Sequence, residues 1–261
     1  MDKVAFTGST AAGQEIGAVC GRLLRPVTLE LGGKSAAILA EDVDIGVFTQ
    51  NLLAVSLPNN GQTCHASTRI LAPLWRYHAI VDAVTDTVRG LKIGHPLDLS
   101  TEIGPLVSSE HRDRVLAHID VGRRSGARFT TGGNIPPARD TGWYVEPTVF
   151  ADVDNSDVIA REEIFGPVLC ITPYRHLEDA IDLANDSRYG LAATVWTAVE
   201  GVGIEMAARI HSGTIGVNYY ELDVSAPFGG VKNSGLGREL GREGLLAYLE
   251  PQSVYLPPTD R

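Results

Sequence analysis

Apolar residues along this chain switch repeatedly between strand spacing and helix spacing, and that alternation limits the fold more than any single motif does. Val4 to Thr7 is a short extended run. Ala12, Ile16, Val19, Cys20 and Leu23 then recur at helical spacing, and Pro26 closes that helix. Val27 to Leu31 reads as a second strand ending in Gly32-Gly33, and Ser35 to Ala40 as a third apolar run. Ile45, Phe48, Leu52 and Val55 mark a helix up to Pro58. After a strand near Arg69 to Ala72, Ile80, Val81, Val84, Val88 and Leu91 mark the next one. Further helices are expected over Glu110 to Arg124, Leu177 to Asn185 and Glu200 to Ile210, with strands near Trp143 to Phe150, Val168 to Tyr174, Leu191 to Thr197 and Thr214 to Asn218. This succession predicts an α/β fold with a mostly parallel sheet covered on both faces. The Gly132 to Pro137 loop is rich in Gly and Pro but too short for a domain linker. Because the chain opens directly on a strand, its first strand, turn and helix look like the middle of a nucleotide-binding sheet.

Composition removes several classes of function. With 22 Lys+Arg against 32 Asp+Glu, the net charge of -10 argues against nucleic acid as the main partner. No stretch approaches the ~20 apolar residues of a membrane span. Met1 to Val4 shows no basic segment leading into an apolar one, so no secretion signal is expected. Cys20, Cys64 and Cys170 are too few and too scattered for a disulfide frame or a zinc site, which points to a reducing cytoplasm.

Five stretches carry residue types suited to chemistry. Phe6-Thr7-Gly8-Ser9-Thr10-Ala11-Ala12-Gly13 places glycines where a strand turns into a helix, as a phosphate cradle would require. A tight turn with Ser9 or Thr10 capping the helix explains it equally well. Cys20 and Cys170 sit in apolar patterns and read as buried hydrophobes. Cys64 instead ends a polar, Gly-containing loop, Asn59-Asn60-Gly61-Gln62-Thr63-Cys64, where an accessible thiol is a candidate nucleophile. Glu30, alone in an apolar strand, is either a strand-end acid paired with Lys34 or a base whose pKa is tuned upward. Locally the pairing is the simpler reading. Glu162-Glu163-Ile164-Phe165-Gly166-Pro167 could grip a sugar hydroxyl and cover a flat ring, or be a solvated loop. Pro227 to Gly235 is too Gly-rich for a regular element and reads as an ordered loop near a site.

Taken together and in order, these stretches resemble the FTGS, LELGGK, NxGQxC, EEIFGPV and PFGGxKxSGxGRE motifs of the aldehyde dehydrogenase superfamily. The resemblance implies a Rossmann-like catalytic domain preceded by a remnant of the cofactor-binding sheet. Residues 1–34 would be that remnant, 35–235 the cysteine domain, and 236–261 a C-terminal helix and strand for oligomerisation. It implies NAD(P)-dependent oxidation of a small-molecule aldehyde, NAD being favoured over NADP, with no metal. Cys64 would form a thiohemiacetal and then a thioester, and Glu30 would activate the water that hydrolyses it. Gly8, Ser9 and Gly13 would contact the cofactor pyrophosphate, Glu163 a ribose, and Phe165 and Leu31 the nicotinamide. Phe228 and Leu222 would line the substrate tunnel. Arg238, Glu239 and Glu250 would support the site or a dimer interface.

Members of that superfamily are close to twice this length, and this chain matches their C-terminal half or so. The expectation is therefore a truncated product with little activity alone, as a homo-oligomer or paired with a full-length relative. The alternatives are a non-catalytic remnant and, more distantly, a thiol hydrolase pairing Cys64 with a histidine. His65 is adjacent but points the other way in an extended chain.

Overall fold

The computed structural model describes residues 1–137, 139 and 141–257. The elements follow the apolar runs closely: β1 (Val4–Thr7), α1 (Thr10–Arg22), β2 (Val27–Glu30), β3 (Ala36–Leu39), α2 (Ile45–Ser56), β4 (Arg69–Pro73) and α3 (Tyr77–Gly90). Next come α4 (Ser109–Arg124), β5 (Arg128–Thr131), β6 (Thr148–Ala151), α5 (Val158–Arg161), β7 (Val168–Tyr174) and α6 (Leu177–Asn185). The chain continues through β8 (Tyr189–Gly190), β9 (Ala192–Trp196), α7 (Glu200–Ala207), β10 (Thr214–Val217), β11 (Val231–Lys232), β12 (Gly235–Leu236) and α8 (Gly241–Leu246).

The large sheet has the order β10-β9-β3-β4-β7-β6-β5. All its pairings are parallel except β5 with β6. Helices cover both faces, as continuous apolar strands require. On one face Phe48, Leu52, Ile80 and Val84 pack with Trp196; on the other, Ile38, Leu71 and Val195 meet Ile181 and Met206. Each such side chain contributes about 1.5–3 kcal/mol by leaving water. A smaller sheet, β1-β2-β12, joins the ends of the described chain: β1 runs parallel to β2, while Gly235 of β12 stands antiparallel opposite Glu30. No helix among the described residues is long and apolar enough to cross a membrane.

Two sequence expectations fail locally, and one strand of the large sheet was not expected. The strand expected from Trp143 starts only at Thr148, because Pro147 has no N–H to give a ladder and the Glu146 N–H donates to the Asn134 carbonyl. β5 went unrecognised because its first two residues, Arg128 and Phe129, are exposed and its pattern is mostly polar. The C-terminal helix forms, but residues 247–257 hold no strand; the extended stretch is exposed and has no ladder beside it. Residues 258–261 of the expected oligomerisation segment lie outside the described residues.

Candidate active site

The Cys64 loop is built by three consecutive left-handed residues. Asn59 and Asn60 have φ of 49° and 62°, and Gly61 has φ of 73°. Asn tolerates this conformation better than most side chains do. At Gly61 the requirement is also steric, since a Cβ there would lie 2.2 Å from the Gly166 carbonyl oxygen. The loop is tied down on its other side. The Asn60 amide donates to the Pro105 carbonyl at 3.2 Å and accepts the Gly104 N–H at 2.7 Å, and Gln62 Oε1 accepts the Val107 N–H at 3.0 Å. The Thr63 hydroxyl donates to the Pro58 carbonyl at 3.1 Å.

Cys64 itself is half-buried, whereas Cys20 and Cys170 are buried, as their patterns predict. Burial, reinforced by the nearby charges of Glu163 and Glu30, pushes the Cys64 thiol up to about 11. The backbone N–H groups of Cys64 and His65 pull the other way. The thiol is therefore protonated at neutral pH, and needs a proton acceptor to act as a nucleophile. That differs from the accessible thiol the loop composition suggests, first because the side chain is largely desolvated and second because Glu163 and Glu30 stand close by.

Glu30 closes β2 and is 2% exposed. Its pairing with Lys34 does not form: both carboxylate oxygens and Lys34 Nζ are buried without a hydrogen-bond partner. Desolvation, with the Glu239 charge added and Arg238 opposing, raises the carboxyl to about 8. The packing leaves little room, since a Cβ on Gly229 would lie 2.5 Å from Glu30 Oε1. The Pro227–Gly235 stretch is not wholly the loop that its glycine content suggests: Val231–Lys232 form β11 against β8, and Gly235 begins β12 against β2. Buried Ser234 donates to the Gly32 carbonyl at 2.7 Å, and the Leu31 N–H donates to the Ser234 carbonyl at 2.9 Å.

Cys64 and Glu30 line one cavity of about 620 Å³, together with Gly8, Ser9, Leu31, Glu163 and Phe165. Glu163 is held by the Gly33 N–H, which donates to Oε1 at 3.0 Å. The paired glycines make this approach feasible, because a Cβ on Gly32 would lie 2.2 Å from Glu163 Oε2. Burial raises the Glu163 carboxyl, while the Gly33 N–H and Lys34 oppose that rise. Phe165 adopts a left-handed φ of 56°. Gly13 does not line the cavity; it is a buried residue of α1, and because a Cβ there would lie 2.4 Å from Leu31 Cδ2, it lets the helix pack closely against Leu31.

A second cavity of about 410 Å³ is lined by Leu222 and Phe228 with Tyr219, Tyr220 and Pro227. His65, next to Cys64 in the chain, packs against two residues of this second cavity, its ring centroid 5.2 Å from that of Tyr220 and 6.3 Å from that of Phe228. Sequence reasoning placed no histidine other than His65 near the thiol, yet His111, Arg114 and His118 of α4 also line the first cavity. Their spacing, three and then four residues apart, puts them on one helix face and was the available signal.

The aldehyde dehydrogenase family profile matches residues 1–254, and the chain belongs to that family. It is 53% identical over 256 residues to a geranial dehydrogenase of Castellaniella defragrans, covering 98% of this chain and 53% of that protein. To a betaine aldehyde dehydrogenase of Brucella melitensis it is 40% identical over 257 residues, covering 97% of this chain and 53% of the relative. Among solved structures it resembles a Mycobacterium tuberculosis aldehyde dehydrogenase complexed with NAD+, with a TM-score of 0.97 and 50% identity over 98% of this chain and 53% of that one. A Pseudomonas syringae aldehyde dehydrogenase complexed with NAD+ and octanal gives a TM-score of 0.93 at 37% identity over 96% of this chain and 52% of that one. The chain thus spans about half the length of the relatives it matches.

Proposed function

We propose that this chain carries the nucleophile and the base of an NAD-dependent aldehyde dehydrogenase, oxidising an aldehyde to a carboxylic acid. The observation that carries this reading is that Cys64 and Glu30 line one cavity. The residues present fit a dinucleotide. The cavity volume lies in the usual range for ligand sites, and exposed Gly8 and Ser9 lead into the N-terminus of α1, whose first turn has no acid to repel a phosphate. Gly8 and Ser9 would hold the pyrophosphate and Glu163 a ribose hydroxyl; Leu31 and Phe165 would flank the nicotinamide. The chemistry NAD supplies when bound is acceptance of the hydride that separates an aldehyde from an acid.

The chain's own residues do the rest. The Cys64 sulfur bonds to the aldehyde carbon as its proton passes to a base, giving a thiohemiacetal whose oxyanion is met by the Cys64 N–H. At the thioester stage Glu30 takes a proton from water; the hydroxide adds, the C–S bond breaks and the acid leaves. A carboxyl raised to about 8 is a far better proton acceptor than an ordinary one, once ionised. Leu222, Tyr220 and Phe228 make the second cavity suit an apolar aldehyde tail. That agrees with the apolar aldehydes of two relatives, the geranial dehydrogenase and the octanal-bound enzyme. In a thiol hydrolase a histidine would have to serve Cys64; both ring nitrogens of His111 are engaged and His65 packs among aromatic rings, which leaves His118, also on the cavity wall, as the histidine that reading would need.

At half its relatives' length, the isolated 261-residue polypeptide is read as having little dehydrogenase activity. The test is NAD-dependent oxidation of octanal by this chain alone and joined to the remaining half of a relative. Turnover by the joined protein, its loss in Cys64→Ala and accumulation of a Cys64 thioester in Glu30→Gln are expected. Full turnover in the joined Cys64→Ala protein would remove the nucleophile, and normal turnover by the chain alone would remove the inactivity claim.

A further inference from the structure

The reaction proposed above needs two loops held in a fixed relation: the one that carries Cys64 and the one that carries Glu163 and Phe165. A single stretch, Gly104 to His111, is bonded to both. At its start the N–H groups of Gly104 and Val107 donate to Asn60 and Gln62, and the Pro105 carbonyl accepts from Asn60. At its end stands His111, in the first turn of α4, 5% exposed and with its own N–H donated to the capping Ser108 hydroxyl at 3.2 Å.

The His111 ring has two partners. Nε2 lies 2.6 Å from the Phe165 carbonyl oxygen, and Arg114 Nη2 lies 3.1 Å from Nδ1. A guanidinium can only donate and a carbonyl can only accept. Nδ1 is thus the acceptor and Nε2 carries the proton, which fixes the neutral Nε2–H tautomer. Burial acts in the same direction by lowering the imidazole's proton affinity. The carbonyl that Nε2–H grips belongs to the residue whose left-handed φ of 56° an aromatic side chain rarely adopts.

We infer that His111, oriented by Arg114, is a positioning residue that clamps the Phe165 carbonyl and thereby fixes the Glu163 carboxylate relative to the Cys64 loop. This rests on the dehydrogenase reading for its purpose but not for its test, which needs no turnover. Two amides report on the clamped loop: the Gly33 N–H, which donates to Glu163, and the Thr148 N–H, which donates to the Pro167 carbonyl at 2.8 Å.

The experiment uses the full chain, with nitrogen-15 NMR of the histidine rings and hydrogen exchange of those two amides. His111→Gln offers an amide NH2 donor and a carbonyl acceptor, one for each contact, whereas His111→Phe keeps a ring and removes both. The wild type should show the Nε2–H tautomer at neutral pH. His111→Phe should exchange the Gly33 amide about tenfold faster, and His111→Gln should stay within about twofold of wild type, with β4 amides unchanged in both. An Nδ1–H tautomer in the wild type, wild-type protection in His111→Phe, or equal acceleration in both variants would each overturn the assignment. Should His111→Phe fail to fold, Arg114→Met takes its place. Removing the donor at Nδ1 should let the ring proton redistribute and speed Gly33 exchange, and an unaltered tautomer with unaltered exchange overturns the inference.

Discussion

The two sheets that meet at the cavity differ sharply in burial. Every residue of β3, β4, β6 and β9 is buried, whereas β1 alternates half-buried with exposed residues and the end of α1 leaves Val19 and Leu23 exposed. The two groups proposed as nucleophile and base come from opposite sides of that divide. Cys64 hangs from the large-sheet side on a loop pinned by side-chain hydrogen bonds. Glu30 comes from the small sheet, placed by strand pairing alone and left without a partner for its carboxylate. One side supplies position and the other supplies desolvation. The proposed roles would use both: a nucleophile must be positioned to meet a carbon, and a base that holds its proton near neutrality must be desolvated.

That contrast predicts unequal responses to substitution. Phe48, 0% exposed and edge-on to Trp196 at 5.2 Å, lies in the large-sheet core. Phe48→Ala should cost about 3–5 kcal/mol in urea unfolding, the largest effect expected here. A cost below about 1 kcal/mol would mean that the core is not packed as described.

Glu30→Gln should move stability the opposite way. The folded state holds the Glu30 proton up to about 8, while the unfolded chain releases it near the ordinary value of 4.5. Wild-type stability therefore falls as pH rises through that window, and the Gln variant escapes the loss. Its advantage should grow to about 1–3 kcal/mol by pH 9, discounted because the cavity opens to solvent at Gly8 and Ser9. An advantage that stays flat with pH contradicts a desolvated carboxyl.

Ser9→Ala gives the smallest change. The Ser9 hydroxyl accepts the Ala12 N–H at 3.3 Å and caps a helix on the less buried side. Its loss should cost about 1 kcal/mol and appear as faster exchange in the first turn of α1. Faster exchange in β3 or β4 would instead mean that the two sheets unfold as one.

Much of this was legible in the residues. β7 and α6 fall where the apolar spacing puts them, from Val168 to Tyr174 and from Leu177 to Asn185, because both are bounded by clear changes of period. The cavity's main groups were legible through motif order. Lys34 was not, since charge and proximity in sequence suggest a pair with Glu30 that the turn at Gly32-Gly33 does not make. Nor was the contribution of α4. His111 lies 54 residues from the carbonyl it contacts, and only the tertiary fold brings them together. Gly13 shows the converse case, in which a glycine read as a phosphate contact packs a helix against Leu31.

The most direct test of a shared cavity is the acidity of one thiol, followed by pH-dependent alkylation of Cys64 in the wild type, Glu163→Gln and Glu30→Gln. The wild-type thiol should ionise near 11, and both variants should ionise at lower pH, with the larger drop in Glu163→Gln because its charge is the stronger of the two on the sulfur. If neither substitution moves the ionisation of Cys64, the thiol and the carboxylates do not face one another.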